Sequence, residues 1–156
     1  GLFIMTAAMM LGFLFWGIIG ERLGHRGITS MKIFLIGVAI FGIVQIVIIC
    51  EPNSFIIPIL MLFGFFGTAG SLSYAGFSQS FPAHLSGRVH TTANLLVFLF
   101  AFIGQWGVGI IINLWPPVAD GHFSPIGYQV AFATILSVQV IAFLWIGVSR
   151  LIWPQI

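Results

Sequence analysis

Charge is the scarcest feature of this sequence. Five basic and three acidic side chains make up 5% of its 156 residues, against roughly a quarter in a soluble globular domain. So few charges cannot clothe a chain of this length in a water-facing surface, so its surface must face lipid. A single cysteine, Cys50, excludes an intrachain disulfide and any cysteine-based zinc site. The basic residues nowhere cluster with aromatics on a water-facing segment, so the net charge of +2 offers no footprint for nucleic acid. His25, His84, His90 and His122 lie in loops or at the ends of apolar runs. His84 and His90 are six positions apart, which is wrong for one helical face, and no metal site is expected. There is no nucleophile–base pair, no glycine-rich phosphate loop and no pair of acids at one depth, so neither an enzyme nor a cofactor is expected. The chain opens on Gly1 already inside an apolar run, without an initiator methionine or the basic leading region of a signal peptide. That start is the one expected of a segment of a longer protein.

What is present is apolar. Hydrophobic residues make up 60% of the chain, and its mean hydropathy is +1.16. About 20 apolar residues cross a bilayer, and charges and prolines cut the sequence into five such runs. They are Gly1–Gly20, Ile33–Cys50, Ser54–Phe77, Thr91–Trp115 and Ile126–Ser149, and none contains Lys, Arg, Asp, Glu or His. The runs are continuously apolar rather than alternating, which predicts helices and not the strands of a barrel. Pro52, Pro82, Pro116, Pro117, Pro125 and Pro154 fall between or beyond spans. Pro58 alone lies inside one, in its first turns, where a missing N–H costs least. The expected fold is therefore all-α, a polytopic bundle of about five membrane-spanning helices forming one domain over residues 1–156, with the lipid bilayer as its main partner.

Charge also predicts orientation. Arg22, Arg26 and Lys32 follow the first span, Arg88 precedes the fourth and Arg150 follows the fifth, whereas the other two loops hold only Glu51 and Asp120. All five basic residues thus fall on one side, which the positive-inside rule makes cytoplasmic. The N-terminus is then outside and the C-terminus in the cytoplasm. Trp16, Trp115, Trp145 and Trp153 sit near span ends, where interfacial anchors are expected. Gly64, Thr68, Ser71 and Ala75 share a face of the third span, and Ala101, Gly104, Gly107 and Gly109 crowd the fourth. Small residues of this kind let membrane helices approach closely.

One loop carries a specific pattern: Gly17-Ile-Ile-Gly20-Glu21-Arg22-Leu23-Gly24-His25-Arg26, or G-x-x-x-[DE]-R-x-G-x-R. Its glycines permit a tight reversal at the membrane surface. Glu21, Arg22 and Arg26 sit at helix ends, where they can pair or meet terminal backbone groups. A carboxylate so placed forms a latch that can open and close.

The pattern resembles the cytoplasmic loop motif of the major facilitator superfamily, with Glu21 in place of the more usual aspartate. Phe81-Pro82-Ala83-His84-Leu85-Ser86-Gly87-Arg88 is similar to that family's loop between helices ten and eleven. The resemblance implies helices eight to twelve of such a carrier, with the N-terminal half of the same protein as a missing partner. It also implies transport of a small solute across the plasma membrane (the inner membrane in a bacterium) by alternating access. The alternative is a non-transporting scaffold or partner-binding bundle.

Polar side chains at membrane depth are costly and point to function. Gln105 lies near the middle of the fourth span beside Trp106. Asn94, eleven residues earlier, falls within about 20° of the same helix face. Asn94, Gln105 and Trp106 are therefore the candidate residues of a solute path. Gln45 and Gln139 are assigned to interhelical hydrogen bonding, and Tyr74 to the interface as an aromatic anchor. No acid lies within the spans, so proton coupling would need a carboxylate elsewhere.

Overall fold

A computed structural model describes residues 2–50, 55–116 and 123–152, with side chains described to Ser149. Glu51, Pro52, Pro117, Asp120, His122, Trp153 and Pro154 lie outside the described residues. Among the described residues six α-helices follow one another: α1 (Leu2–Gly24), α2 (Ser30–Ile49), α3 (Ile56–Gly67), α4 (Leu72–Ser80), α5 (Ser86–Ile112) and α6 (Pro125–Ile152). Short 3₁₀ turns, Thr68–Ser71 and Ala83–Leu85, join α3 to α4 and α4 to α5. With α3 and α4 taken as one span, five helices of the described residues are long and apolar enough to cross a membrane. The chain divides into two compact units, Gly1–Ala101 and Phe102–Ile156.

The helices outrun the apolar runs. α1 continues through Glu21, Arg22 and Gly24, and α5 starts at Ser86, ahead of Arg88 and His90. A helix can carry charge on its end turns while its middle meets lipid, so hydropathy marks the buried length and not the helix end. Pro125 opens α6 at the first helical position, where its absent N–H would have been an orphan anyway. Pro58 sits in the first turn of α3 for the same reason.

The α1–α2 reversal ends α1 with a Schellman arrangement. Ile28 N–H donates to Leu23 O at 3.0 Å and Gly27 N–H to Gly24 O at 2.9 Å, which satisfies carbonyls the helix end leaves open. Gly27 takes φ +79°, a left-handed conformation that a side chain disfavours. The reversal therefore turns on Gly27, just beyond the motif, while Gly17, Gly20 and Gly24 remain helical.

The first unit packs α1, α2 and α3 around Trp16, Ile33, Ala69 and Leu72, all at most 5% exposed. Close approach is what makes this core. A Cβ added to Gly37 would lie 2.6 Å from the Ala69 Cβ, and one on Gly64 would lie 2.9 Å from Met5 O. One on Gly12 would lie 2.3 Å from Thr68 Oγ1 and 2.6 Å from Phe65 O. Backbones this near gain van der Waals contact that larger residues would forbid, which is how helices associate where lipid competes on equal apolar terms. Gly64 and Thr68 are buried as part of this seam, Ser71 is half-buried and Ala75 is exposed.

Trp16 departs from its expected role as an interfacial anchor. It is 4% exposed, at the centre of the core, with its ring 6.0 Å from that of Phe66. Position along a span does not say which face a residue occupies, and this indole lies on the face that meets α2 and α3. Gln45 is also fully buried, at 1% exposure.

In the second unit the end of α5 and the start of α6 come close, and a Cβ on Gly127 would meet Ile112 O at 3.1 Å. Ile112, Ser124 and Ala131 are buried there. An added Cβ at Gly104, Gly107 or Gly109 would meet nothing within 4 Å among the described residues.

Candidate functional site

The third span is helical throughout but changes type at its middle. α3 stops at Gly67, the 3₁₀ turn Thr68–Ser71 interrupts it, and α4 resumes at Leu72. The span runs from Ile56 to Ser80, so the interruption falls at its midpoint. A 3₁₀ stretch inside a longer helix redirects the backbone ladder, and in hydrocarbon any group it frees must find another partner. Phe65 O, just before the turn, accepts from two side chains. The Trp16 indole Nε1–H donates to it at 3.2 Å and the Thr68 hydroxyl at 2.7 Å. α1 therefore supplies both the close packing and a hydrogen bond that hold the break.

Beside the break lies a groove of about 370 Å³. Its apolar walls are Met5, Met9 and Phe13 from α1, Phe41 from α2 and Phe63 from α3. Thr68, Ser71 and Tyr74 place three hydroxyls along it, at a spacing of three residues, so they follow one face of the broken span. A cavity this size with apolar walls and a few convergent polar groups has the composition of a small-molecule site.

Tyr74 joins the groove to a second feature. Its hydroxyl donates to Asn94 Oδ1 at 2.5 Å, and one turn along Ser78 Oγ lies 2.8 Å from His90 Nε2. The imidazole of His90 stacks on the Tyr74 ring at 5.8 Å, with 14° between the planes. Tyr74 and Ser78 are i, i+4 on α4, and His90 and Asn94 are i, i+4 on α5, so two rungs join an antiparallel helix hairpin. Such intramembrane hydrogen bonds contribute about 0.6 kcal/mol each on average. α4 is further tied to α2 by Gln79 Nε2, which donates to Ser30 Oγ at 3.0 Å.

The sequence-derived path candidates Asn94, Gln105 and Trp106 all lie on α5, and all three are exposed. Asn94 joins the hairpin ladder through Tyr74, which is itself a pairing residue and not a lone interfacial aromatic. Gln105 and Trp106 lie farther along α5, in the second unit, and both are exposed, Trp106 to 65%. Glu21, Arg22 and Arg26 are exposed beyond the core. Glu21 Oε1 lies 4.0 Å from His25 Nε2, with the two side chains 77% and 79% exposed, and no ion pair joins Glu21 to either arginine among the described residues. Gly20 packs toward Leu72, whereas a Cβ at Gly17 or Gly24 would meet nothing within 4 Å.

Sequence reasoning missed the groove and the ladder. The ladder had a legible signal. Tyr74 and Asn94 lie ten residues either side of His84, and Ser78 and His90 lie six either side, the symmetry of a helical hairpin folded at that turn. The groove had none, because its walls come from three helices whose crossing points hydropathy does not encode. No three His, Cys, Asp or Glu side chains converge among the described residues. Comparison with protein-family models, with characterised proteins and with solved structures returned no match.

Proposed function

We propose that this chain is part of a secondary carrier of the major-facilitator type, its C-terminal half, moving a small solute by alternating access. The observation that carries the reading is the third span, which tightens to a 3₁₀ turn at its midpoint beside a groove of about 370 Å³, as helices do at functional hinges. Carrier sites typically lie near the bilayer midplane. The one-sided placement of Arg22, Arg26, Lys32, Arg88 and Arg150 supports an orientation with the α1–α2 turn and the C-terminus in the cytoplasm. The setting is the plasma membrane, which in a bacterium is the inner membrane.

In this reading the groove and the Tyr74–Asn94 pair form part of the solute path; Gln105 and Trp106, in the second unit, stay candidates on the sequence alone. Glu21, Arg22 and Arg26 act at the cytoplasmic surface as the latch between conformations. Their exposure leaves them able to exchange partners as the carrier rocks.

The test is uptake into proteoliposomes by the product of the complete reading frame containing this segment, with the 156-residue segment alone as comparison. Saturable uptake by the complete product and none by the segment is the expected result, because the path in such folds runs between halves. Absence of saturable uptake across a broad panel of neutral, charged and sugar-like solutes would leave a non-transporting scaffold as the better account.

A further inference from the structure

Resting on the carrier reading, we propose that the groove beside the α3–α4 break takes an uncharged, largely apolar solute bearing an aromatic ring and one hydrogen-bonding head, and that Ser71 receives the head. The first observation is the charge around it. α1 carries no ionisable side chain before Glu21, α2 has none after Lys32, and the segment from Ile56 to Ser80 has none but the Tyr74 phenol. A full charge on the solute would be stripped of water against walls holding no counter-charge, so an ion is rejected.

The second observation is the allocation of hydroxyls. Thr68 donates to Phe65 O and Tyr74 donates to Asn94, so both spend their hydrogen inside the protein. The Ser71 hydroxyl makes no hydrogen bond to another described residue. One free donor, with lone pairs on neighbouring hydroxyls, suits one polar head. A sugar would bring several hydroxyls, and most would find no partner, which is the discrimination that buried polar groups impose.

The third observation is the wall itself. Phe13, Phe41 and Phe63 present ring faces and edges, and the Phe41 and Phe63 rings pack at 4.8 Å. Aromatic rings prefer to add to such a cluster by offset or edge contacts. Met5 and Met9 complete it with flexible thioethers, which fit irregular shapes and favour aromatic edges. The volume, near the lower end of the roughly 300–1,000 Å³ typical of ligand cavities, suits a solute of one or two rings.

The experiment is photolabelling of the 156-residue chain, and of the complete carrier, in lipid nanodiscs. The probe is a diazirine-bearing benzyl alcohol, with a diazirine-bearing phosphatidylcholine acyl chain in parallel and adducts mapped by mass spectrometry. Expected are alcohol adducts on Met5, Met9 and their neighbours, competed by 2-phenylethanol and not by benzoate or glucose. Ser71→Ala should weaken competition about fivefold, the effect of losing one hydrogen bond of about 1 kcal/mol. Met9→Trp, which fills the groove, should abolish the adducts while helical content is unchanged by circular dichroism. Acyl-chain labelling of the same residues that 2-phenylethanol fails to displace would assign the groove to lipid and overturn the proposal. Competition by benzoate or glucose equal to that by 2-phenylethanol would also overturn it. Specific labelling without uptake by the complete carrier leaves the binding site standing and removes the carrier reading. Uptake of a charged or sugar-like solute without labelling does the reverse.

Discussion

Replacing Gly12 by alanine tests whether the crossing of α1 over the break holds the first unit together. The new methyl would sit 2.3 Å from Thr68 Oγ1, 2.6 Å from Phe65 O and 3.2 Å from Phe65 Cα. The Thr68 hydroxyl can rotate away only by giving up its 2.7 Å bond to Phe65 O. The Phe65 atoms are backbone and cannot rotate, so α1 and α3 must part. A parting of roughly 0.5–1 Å forfeits a quarter to a half of each dispersion contact across it. Overpacking of this kind costs about 1–3 kcal/mol. It also stretches the 3.2 Å Trp16–Phe65 hydrogen bond, worth about 0.6 kcal/mol in a membrane. Alanine's helix propensity returns up to about 1 kcal/mol, leaving a net loss of roughly 0.5–2.5 kcal/mol. Gly17→Ala is the control, because its Cβ meets nothing within 4 Å, and there propensity alone should stabilise by about 0.4–1 kcal/mol. The assay is unfolding in mixed micelles by added dodecyl sulfate, followed by far-ultraviolet circular dichroism and tryptophan fluorescence. A Gly12→Ala protein as stable as the Gly17→Ala protein would refute the reasoning, since the close approach would then carry no energy.

Three further outcomes are expected. In a Cys50→Ser background, cysteines placed at Glu51 and Asp120 should react with an impermeant thiol reagent outside intact cells, and those at Arg26 and Arg88 should not; the reverse pattern would invert the proposed orientation. A double-mutant cycle of Tyr74→Phe and Asn94→Ala should give a coupling of about 0.6 kcal/mol, up to about 1.7, whereas Tyr74→Phe with Gln105→Ala should be additive; no coupling in the first cycle would remove the ladder as a stabilising feature. Glu21→Gln should change unfolding free energy by no more than about 0.5 kcal/mol, because an exposed pair contributes little, yet should shift the inward–outward balance of the complete carrier measured by spin-label distances; an unchanged balance would reduce the motif to a turn.

The candidate site was legible only in part, and the reason differs by residue. Asn94 stood out because an amide in an apolar run is costly wherever it points, and the structure gives it a partner, Tyr74, on the neighbouring helix. Ser71 and Tyr74 were visible as polar positions of the third span, but their convergence on one groove depends on the 3₁₀ turn between them. Nothing local announces that turn. Gly67 precedes it and Gly70 lies within it, in a sequence that holds 19 glycines, and most of those sit in ordinary helix. Trp16 was assigned to the interface by its distance from a span end and proved central, because its face, rather than its depth, decides its neighbours.

The number of helices long and apolar enough to cross a membrane, and their approximate positions, were legible in the sequence alone. Those follow from a running sum of transfer free energies along the chain, and a sum over consecutive residues needs no knowledge of neighbours in space. The pivot of the first reversal was not legible there, since it lies at Gly27, just beyond the motif glycines to which the sequence assigned it. Which glycines matter was decided by tertiary structure. Gly12 lies 2.6 Å from a backbone carbonyl by its absent Cβ, while Gly17 and Gly104 face open space, and the three are chemically identical in the sequence. In an apolar chain every face of a helix looks alike to hydropathy, so the choice of contact face comes from shape. Shape is a property of two helices at their crossing, and neither helix contains it alone.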